Sequence, residues 1–315
     1  MNMTNIRSLT RTDDFDRETV DRLFEGAARM KAGVKRREFN TVLAGYSAAM
    51  IFQKPSLRTR MTFDVGIQQM GGHSVYLGPQ EISMGVRESV YDVARNLERW
   101  VDIIIARVFA QAQVDEMAAV AKCPVINALS DDEHPVQIFA DFLTLKEHGL
   151  ENGNIRLAYI GDGNNVCTSL LLAGAALGAD MRVGAPARYA PDAAMVAKAC
   201  EIAKRHGGKI TIYEDPREAV AGANAVYTDI WASMGRESEA AERNRVFRPF
   251  QLNGELMKNA DPDAFVMHDL PAHRGEEITD EVMDGPTSIV FDQAENRLHV
   301  QKAIILECLG LLDRV

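Results

Sequence analysis

Residues 47–70 read SAAMIFQKPSLRTRMTFDVGIQQM. The apolar run 47–52 predicts a strand. The pattern Met61, Phe63, Val65, Ile67 and Met70 predicts a helix over 58–70. Between them stand Ser56, Arg58, Thr59 and Arg60. A strand that runs into hydroxyls and guanidinium groups at a helix start suits a phosphate. Backbone N–H groups and the helix dipole favour an anion there. Hydroxyls donate hydrogen bonds, and the arginine fork matches phosphate oxygens. The same residues also fit a solvated basic helix start with a serine cap.

The alternation continues outward from this stretch. Strands are expected at 47–52, 73–77, 102–107 and 124–127, with helices at 58–70, 88–99, 112–121 and 135–147. A second series follows, with strands near 155–160, 181–184, 209–213, 225–229 and 264–268 and helices at 165–178, 191–206 and 250–258. The pattern predicts an α/β protein of two doubly wound parallel-sheet domains. The polar, glycine-containing break at 148–154 separates a first domain, 1–148, from a second, 149–292. A last helix, about 293–314, has an apolar face at Ala303, Ile304, Ile305, Leu309 and Leu312. The polar motifs follow strands, at their carboxyl ends, which predicts one cleft between the domains.

A chain of 315 residues, 46% hydrophobic and 25% charged, has the composition of a globular protein with a large core. A net charge of −10 argues against a nucleic-acid partner and makes the arginine pairs local anion sites. The four cysteines, 123, 167, 200 and 308, show no metal-ligand spacing. Reduced thiols and a cytoplasmic location are expected, with no metal and no redox cofactor. The start lacks an apolar leader region, and no apolar stretch reaches membrane-spanning length.

Further motifs follow in order. They are His134-Pro135-Val136-Gln137, Gly161-Asp162-Gly163-Asn164-Asn165 and Asp229-Ile230-Trp231-Ala232-Ser233-Met234-Gly235. After them come His268-Asp269-Leu270-Pro271-Ala272-His273-Arg274-Gly275 and Gln293-Ala294-Glu295-Asn296-Arg297. The glycine run resembles a dinucleotide fingerprint, but Val166 stands where a third glycine is needed. No Gly-Lys-Ser/Thr follows, which excludes a P-loop. From about residue 40 onward the chain resembles the aspartate/ornithine carbamoyltransferase family. The Asp-x-Trp-x-Ser-Met-Gly run is similar to its ornithine branch.

The resemblance implies carbamoyl transfer from carbamoyl phosphate to the δ-amine of L-ornithine, in a homotrimer. It implies that Ser56, Leu57 (through its backbone), Arg58, Thr59, Arg107 and Arg297 hold carbamoyl phosphate. His134 would donate to the carbamoyl carbonyl oxygen and Gln137 would hold the carbamoyl amide; Leu270 belongs to the same set. Asn165, Asp229, Ser233 and Met234 would bind ornithine, with Ser233 and Met234 on a mobile lid continued by the polar run 235–245. The last helix would pack back onto the first domain. The 80–90 loop would reach a neighbouring subunit's site through Ser83 and Arg87.

Three departures qualify this expectation. Leu57 replaces a threonine, which removes a hydroxyl and leaves the N–H. Ser83 stands where ornithine enzymes usually carry glutamine, and Ser83 with Arg87 could imitate the Ser and Lys of the aspartate enzymes. Asp269 replaces the cysteine of ornithine enzymes and the proline of aspartate enzymes, beside the expected position of the amine. Asp229 and Asp269 are therefore the candidate proton-handling groups. Three other functions stay open: another amine acceptor, a weakly catalytic binding or structural paralogue, and a dehydrogenase on a similar fold.

Overall fold

Parallel strands buried on both faces need continuous apolar runs, and those runs become strands here. In the computed structural model they are β1 Ser47–Phe52, β2 His73–Leu77, β3 Ile103–Arg107, β4 Val125–Leu129, β5 Arg156–Ile160, β6 Asp180–Gly184, β7 Lys209–Tyr213, β8 Ala225–Thr228 and β9 Phe265–His268. The described residues are 7–151, 153–232, 235 and 237–315. They divide into two units, one reaching Leu143 and including Glu295–Val315, the other Thr144–Ala294.

The first unit has a four-stranded sheet in the order β2-β1-β3-β4. All its pairings are parallel. Every residue of β3 is buried, whereas β2, at one edge, is half exposed. The opposite edge is covered by the N-terminal segment. Leu9 donates its N–H to the Val125 carbonyl at 2.9 Å and accepts from Asn127 N–H at 2.7 Å. Such cover removes an open ladder. The helices are α1 Arg17–Lys35, α2 Leu57–Gln69, α3 Pro79–Ile82, α4 Val90–Leu97, α5 Gln111–Val120 and α6 Pro135–Glu147.

α1 has no counterpart among the expected helices. Asp16 caps it, accepting from Thr19 N–H at 2.9 Å. Val20, Leu23, Phe24, Ala27 and Met30 form its buried stripe. Burying a side chain of this size stabilises by roughly 1.5–3 kcal/mol.

The second unit carries a five-stranded parallel sheet, β7-β6-β5-β8-β9. Its helices are α7 Asn165–Ala176, α8 Ala193–His206, α9 Pro216–Val220, α10 Ala240–Phe247, α11 Gly254–Met257 and α12 Asp280–Met283. The helix expected at 250–258 is instead a 3-10 turn, Arg248–Phe250, followed by α11. Asn253 starts α11 afresh by accepting from Leu256 N–H at 3.0 Å, so one continuous helix cannot form.

The division between units falls inside α6 and inside the last helix, α13 Val290–Cys308. α13 stops earlier than expected because Gly310 turns to a φ of +66°. Its residues Ala303, Ile304 and Ile305 are at most 1% exposed, in accord with the apolar face read from the sequence. Among the described residues no helix is long and apolar enough to cross a membrane.

Each sheet reverses its strand order once, between β1 and β3 and between β5 and β8. A crevice opens at the carboxyl ends of strands at such a switch point. The polar motifs after β1 and β3 stand at the first switch point, and those after β5 and β8 at the second.

Candidate active site

In the first unit the site is organised around Thr59. Ser56 caps α2 and accepts from Thr59 N–H at 3.3 Å, which fixes the first turn. Thr59 is fully buried. Its Oγ1 accepts from Arg297 Nη2 at 2.6 Å and from Arg107 Nη1 at 3.4 Å. With both lone pairs engaged, the hydroxyl proton is left to point elsewhere, toward an acceptor on a ligand. A register shift between β3 and β4 at Ala106/Arg107 pairs Arg107 with Leu129. Such irregularities re-aim a side chain where a strand ends at a site.

His134 stands just before α6 and is 2% exposed. Burial first, then the charges of Arg297, Arg107 and Arg58, hold its imidazole well below the usual histidine range. It is therefore neutral at pH 7 and donates from one nitrogen only. The same cause places Arg58, Arg107, Arg297 and His134 in one positive field. Gln137 donates from Nε2 to Asp141 Oδ1 at 2.8 Å. Its Oε1 is buried and, among the described residues, receives no hydrogen bond, so it is positioned for an N–H donor. Leu57 is 73% exposed and offers only its backbone at the start of α2. Arg60 turns away and stacks over Tyr76 at 3.6 Å from the ring centre.

Ser83 and Arg87 do not join this group. Ser83 sits at a φ of +41° after α3 and donates to the Pro79 carbonyl at 3.4 Å. Arg87 is exposed. Nothing among the described residues ties either side chain to Thr59, Arg107 or Arg297.

In the second unit β5 enters a tight turn at Gly161, with a φ of +146° that favours glycine. A Cβ at Gly163 would meet Pro191 N at 2.2 Å and Ala190 C at 2.5 Å, both backbone atoms. Gly163→Ala therefore forces the two segments apart. The expected cost is about 1–3 kcal/mol, the range for overpacking. Chemical denaturation checks it, and an unchanged midpoint would show that the turn yields freely.

Asn164 caps α7, its Oδ1 accepting from Val166 and Cys167 N–H groups at 3.0 and 3.1 Å. Its Nδ2 donates to Asp229 Oδ2 at 2.7 Å. Asp229 Oδ1 also accepts from Ile230 N–H at 2.7 Å. Burial and then the neighbouring Asp269 charge hold the Asp229 carboxyl well above the usual range. Each of two neighbouring carboxyls disfavours the charge of the other, so their protons come off as a pair. Asn165 is the first residue of α7 and half-buried. Ser233 and Met234 lie outside the described residues.

The polar run after Met234 is tied down in part. α10 carries the buried Arg243, which donates to Asp162 Oδ2 at 2.7 Å and to the Trp231 carbonyl at 2.8 Å. At the end of β9, His268 is held on three sides. Its N–H donates to Gln293 Oε1 at 3.0 Å, its Nε2 faces Glu277 Oε1 at 3.0 Å, and its Nδ1 accepts from Leu270 N–H at 2.9 Å. Leu270 takes a φ of +62° to make that contact. Ligand atoms of Asp229, His268 and Asp269 lie within 4.8 Å of one another. Both ring nitrogens of His268 are already engaged, so the ring offers no free lone pair to a metal ion.

The structure gives Asn164, Glu277 and Gln293 positioning contacts that the sequence assigns to none of them. Asn164 had a legible signal, an asparagine at the start of an apolar helix. Gln293 opens a motif that carries the family resemblance, whereas Glu277 had no signal, since its role depends on chain segments that meet only in space.

Comparison with known proteins gives this geometry its context. Residues 7–147 match the family model described as the aspartate/ornithine carbamoyltransferase carbamoyl-P binding domain. Residues 153–308 match the corresponding Asp/Orn binding domain. An ornithine carbamoyltransferase of Thermococcus kodakarensis is 48% identical over 297 residues, covering 94% of each chain. The solved structure of the Pyrococcus furiosus ornithine carbamoyltransferase superposes with a TM-score of 0.93 at 46% identity, covering 96% of each chain. That of the anabolic Campylobacter jejuni enzyme does so with 0.91 at 34% identity, covering 98% of this chain and 99% of its own. Two family domains matched in order across nearly the whole length, with the polar groups gathered at both switch points, establish that this chain belongs to the aspartate/ornithine carbamoyltransferase family.

Proposed function

We propose that this protein transfers the carbamoyl group of carbamoyl phosphate to the δ-amine of L-ornithine, giving L-citrulline and phosphate. The observation that carries the reading is the buried cluster around Thr59, where Arg107 and Arg297 meet one hydroxyl beside the neutral His134. Such a field suits a dianion. Carbamoyl phosphate is held by Ser56, the Leu57 backbone, Arg58, Thr59, Arg107 and Arg297. His134 donates to the carbonyl oxygen, and Gln137 Oε1 accepts from the carbamoyl amide.

The amine nitrogen attacks the carbamoyl carbon, and negative charge develops on the carbonyl oxygen. Preorganised donors lower that barrier. The C–O bond to phosphate then breaks and phosphate leaves with the electron pair. An alkylamine has a pKa of about 10.4, so it must lose a proton before attack. Asp229 orients the ammonium and, with Asp269, takes that proton. Asn165, Ser233, Met234 and Leu270 complete the substrate contacts in this reading. The residue ranges 1–148 and 149–292 serve as the carbamoyl-phosphate and ornithine domains, with 293–315 belonging to the first.

A homotrimer in the cytoplasm is part of the same proposal. Four free thiols, Cys123, Cys167, Cys200 and Cys308, suit a reducing compartment. Ser83, half-buried, and Arg87, exposed, lie apart from Thr59 and act on a neighbouring chain in this reading. Light scattering at a trimer mass checks the assembly.

The carboxyl pair Asp229–Asp269 favours a second acceptor class, an amine carrying a further positive group. Product formation from carbamoyl phosphate, measured over ornithine, its derivatives and simple diamines, decides between them. Citrulline formation with ornithine as the best acceptor is expected. Faster turnover of a diamine would overturn the ornithine assignment.

A further inference from the structure

Away from the Thr59 cluster, α1, the end of α2 and α13 frame a cavity of about 390 Å³ in the first unit. Lys302 lines it and is only 2% exposed. Among the described residues no group accepts a hydrogen bond from its ammonium or faces it as an opposite charge. Burial pulls the ammonium down to about 8, so at neutral pH most of it still carries its proton.

The nearby acceptors are engaged elsewhere. Lys31 takes Glu295 at 3.2 Å and Asn296 at 2.8 Å. Glu38 pairs with Arg36 at 2.8 Å, and the Val315 carbonyl accepts from Arg29 at 3.0 Å. A partly desolvated charge without a close counter-charge is unfavourable. A bound anion would remove that cost.

Two more features narrow the ligand. Gln69 lines the same cavity, and its Oε1 is buried with no donor among the described residues. Met30, Phe39 and Met70 give the cavity an apolar wall. A plain carboxylate would leave Gln69 Oε1 unsatisfied, and a plain amine would be repelled by Lys302. A zwitterion satisfies both.

We propose that this cavity is a second ligand site, for a free α-amino acid with an apolar side chain. Its carboxylate pairs with Lys302, its ammonium donates to Gln69 Oε1, and its side chain lies among Met30, Phe39 and Met70. Lys302 stands little more than one helical turn beyond Arg297. Gln69 ends the helix that Ser56 begins. The ligand thus touches both helices that present the phosphate-site groups, which makes the site suited to regulation.

Calorimetry on the full chain without carbamoyl phosphate tests this, using L-leucine and its deaminated form, 4-methylpentanoate. Leucine should bind, and 4-methylpentanoate should bind at least about tenfold more weakly. Lys302→Met should weaken leucine by at least a similar factor. It replaces a buried charge with an apolar chain of similar length, so it should fold. Gln69→Leu provides a second variant with the same expected loss, and Asp229→Asn should keep leucine binding. No leucine binding at millimolar concentration would overturn the proposal, as would equal binding of 4-methylpentanoate. So would leucine binding unchanged in Lys302→Met, or lost in Asp229→Asn.

Discussion

Arg107→Lys is expected to lower kcat/KM for carbamoyl phosphate by roughly a hundred- to a thousandfold, the loss seen when one preorganised donor at a developing charge is removed. Lysine keeps the positive charge but not the planar fork. Arg107 donates to Thr59 Oγ1 through Nη1, at 3.4 Å, which fixes the orientation of its guanidinium within the cluster. A lysine ammonium cannot keep that contact and also reach two ligand oxygens in fixed geometry. The side chain is 5% exposed, so water cannot replace the lost donors. Steady-state kinetics with carbamoyl phosphate varied, beside a thermal melt, separates lost binding from lost fold. A folded variant within threefold of the parent rate would remove Arg107 from the site.

Asp229→Asn is expected to lower kcat by about a hundred- to ten-thousandfold, the usual contribution of a positioned acid or base. The amide keeps the shape and can still meet Asn164, but it cannot take the proton of an ammonium. A stability effect of opposite sign accompanies this loss. Burial and the Asp269 charge raise the Asp229 carboxyl in the folded state. A carboxyl raised on folding stabilises the fold at low pH, and that stability is lost as pH rises through the folded value. Asp229→Asn should therefore melt higher than the parent near and above neutral pH, and lose that advantage in acid.

Asp269→Asn leaves a single carboxylate at the site. It should move the alkaline rise of kcat/KM for ornithine to lower pH, because one carboxylate holds the ammonium less firmly than two. Equal melting curves for Asp229→Asn and parent across pH would deny the raised Asp229 carboxyl. Superimposable pH profiles for Asp269→Asn and parent would deny Asp269 a direct role.

Much of the architecture was legible because parallel strands write themselves as apolar runs. Ile103, Ile104 and Ile105 have no polar face to interrupt them, and they become the fully buried β3. α1 escapes the sequence pattern because its stripe is diluted by charged residues, and its burial depends on what packs against it. The segment 250–258 departs from its local pattern for the converse reason. Its apolar residues fit a helix locally, yet Asn253 restarts the chain within it.

The site divides along similar lines. Sequence alone determined which residue types follow which strands, because a helix start after a parallel strand is where an anion site is built. It thereby singled out Ser56, Arg58 and Thr59, and the family resemblance added Arg107, His134, Asp229 and Arg297. Tertiary structure alone decided that Arg297, distant in sequence, meets Thr59 at 2.6 Å, while Arg60, its near neighbour, turns to Tyr76. It also decided that Asn164 donates to Asp229, and that Ser83 and Arg87 stand apart from Thr59. The physical reason is range. Propensity, capping and strand patterning act over a few neighbouring residues. Hydrogen bonds and charge fields act over a few ångströms in space, between groups that only the completed fold brings together.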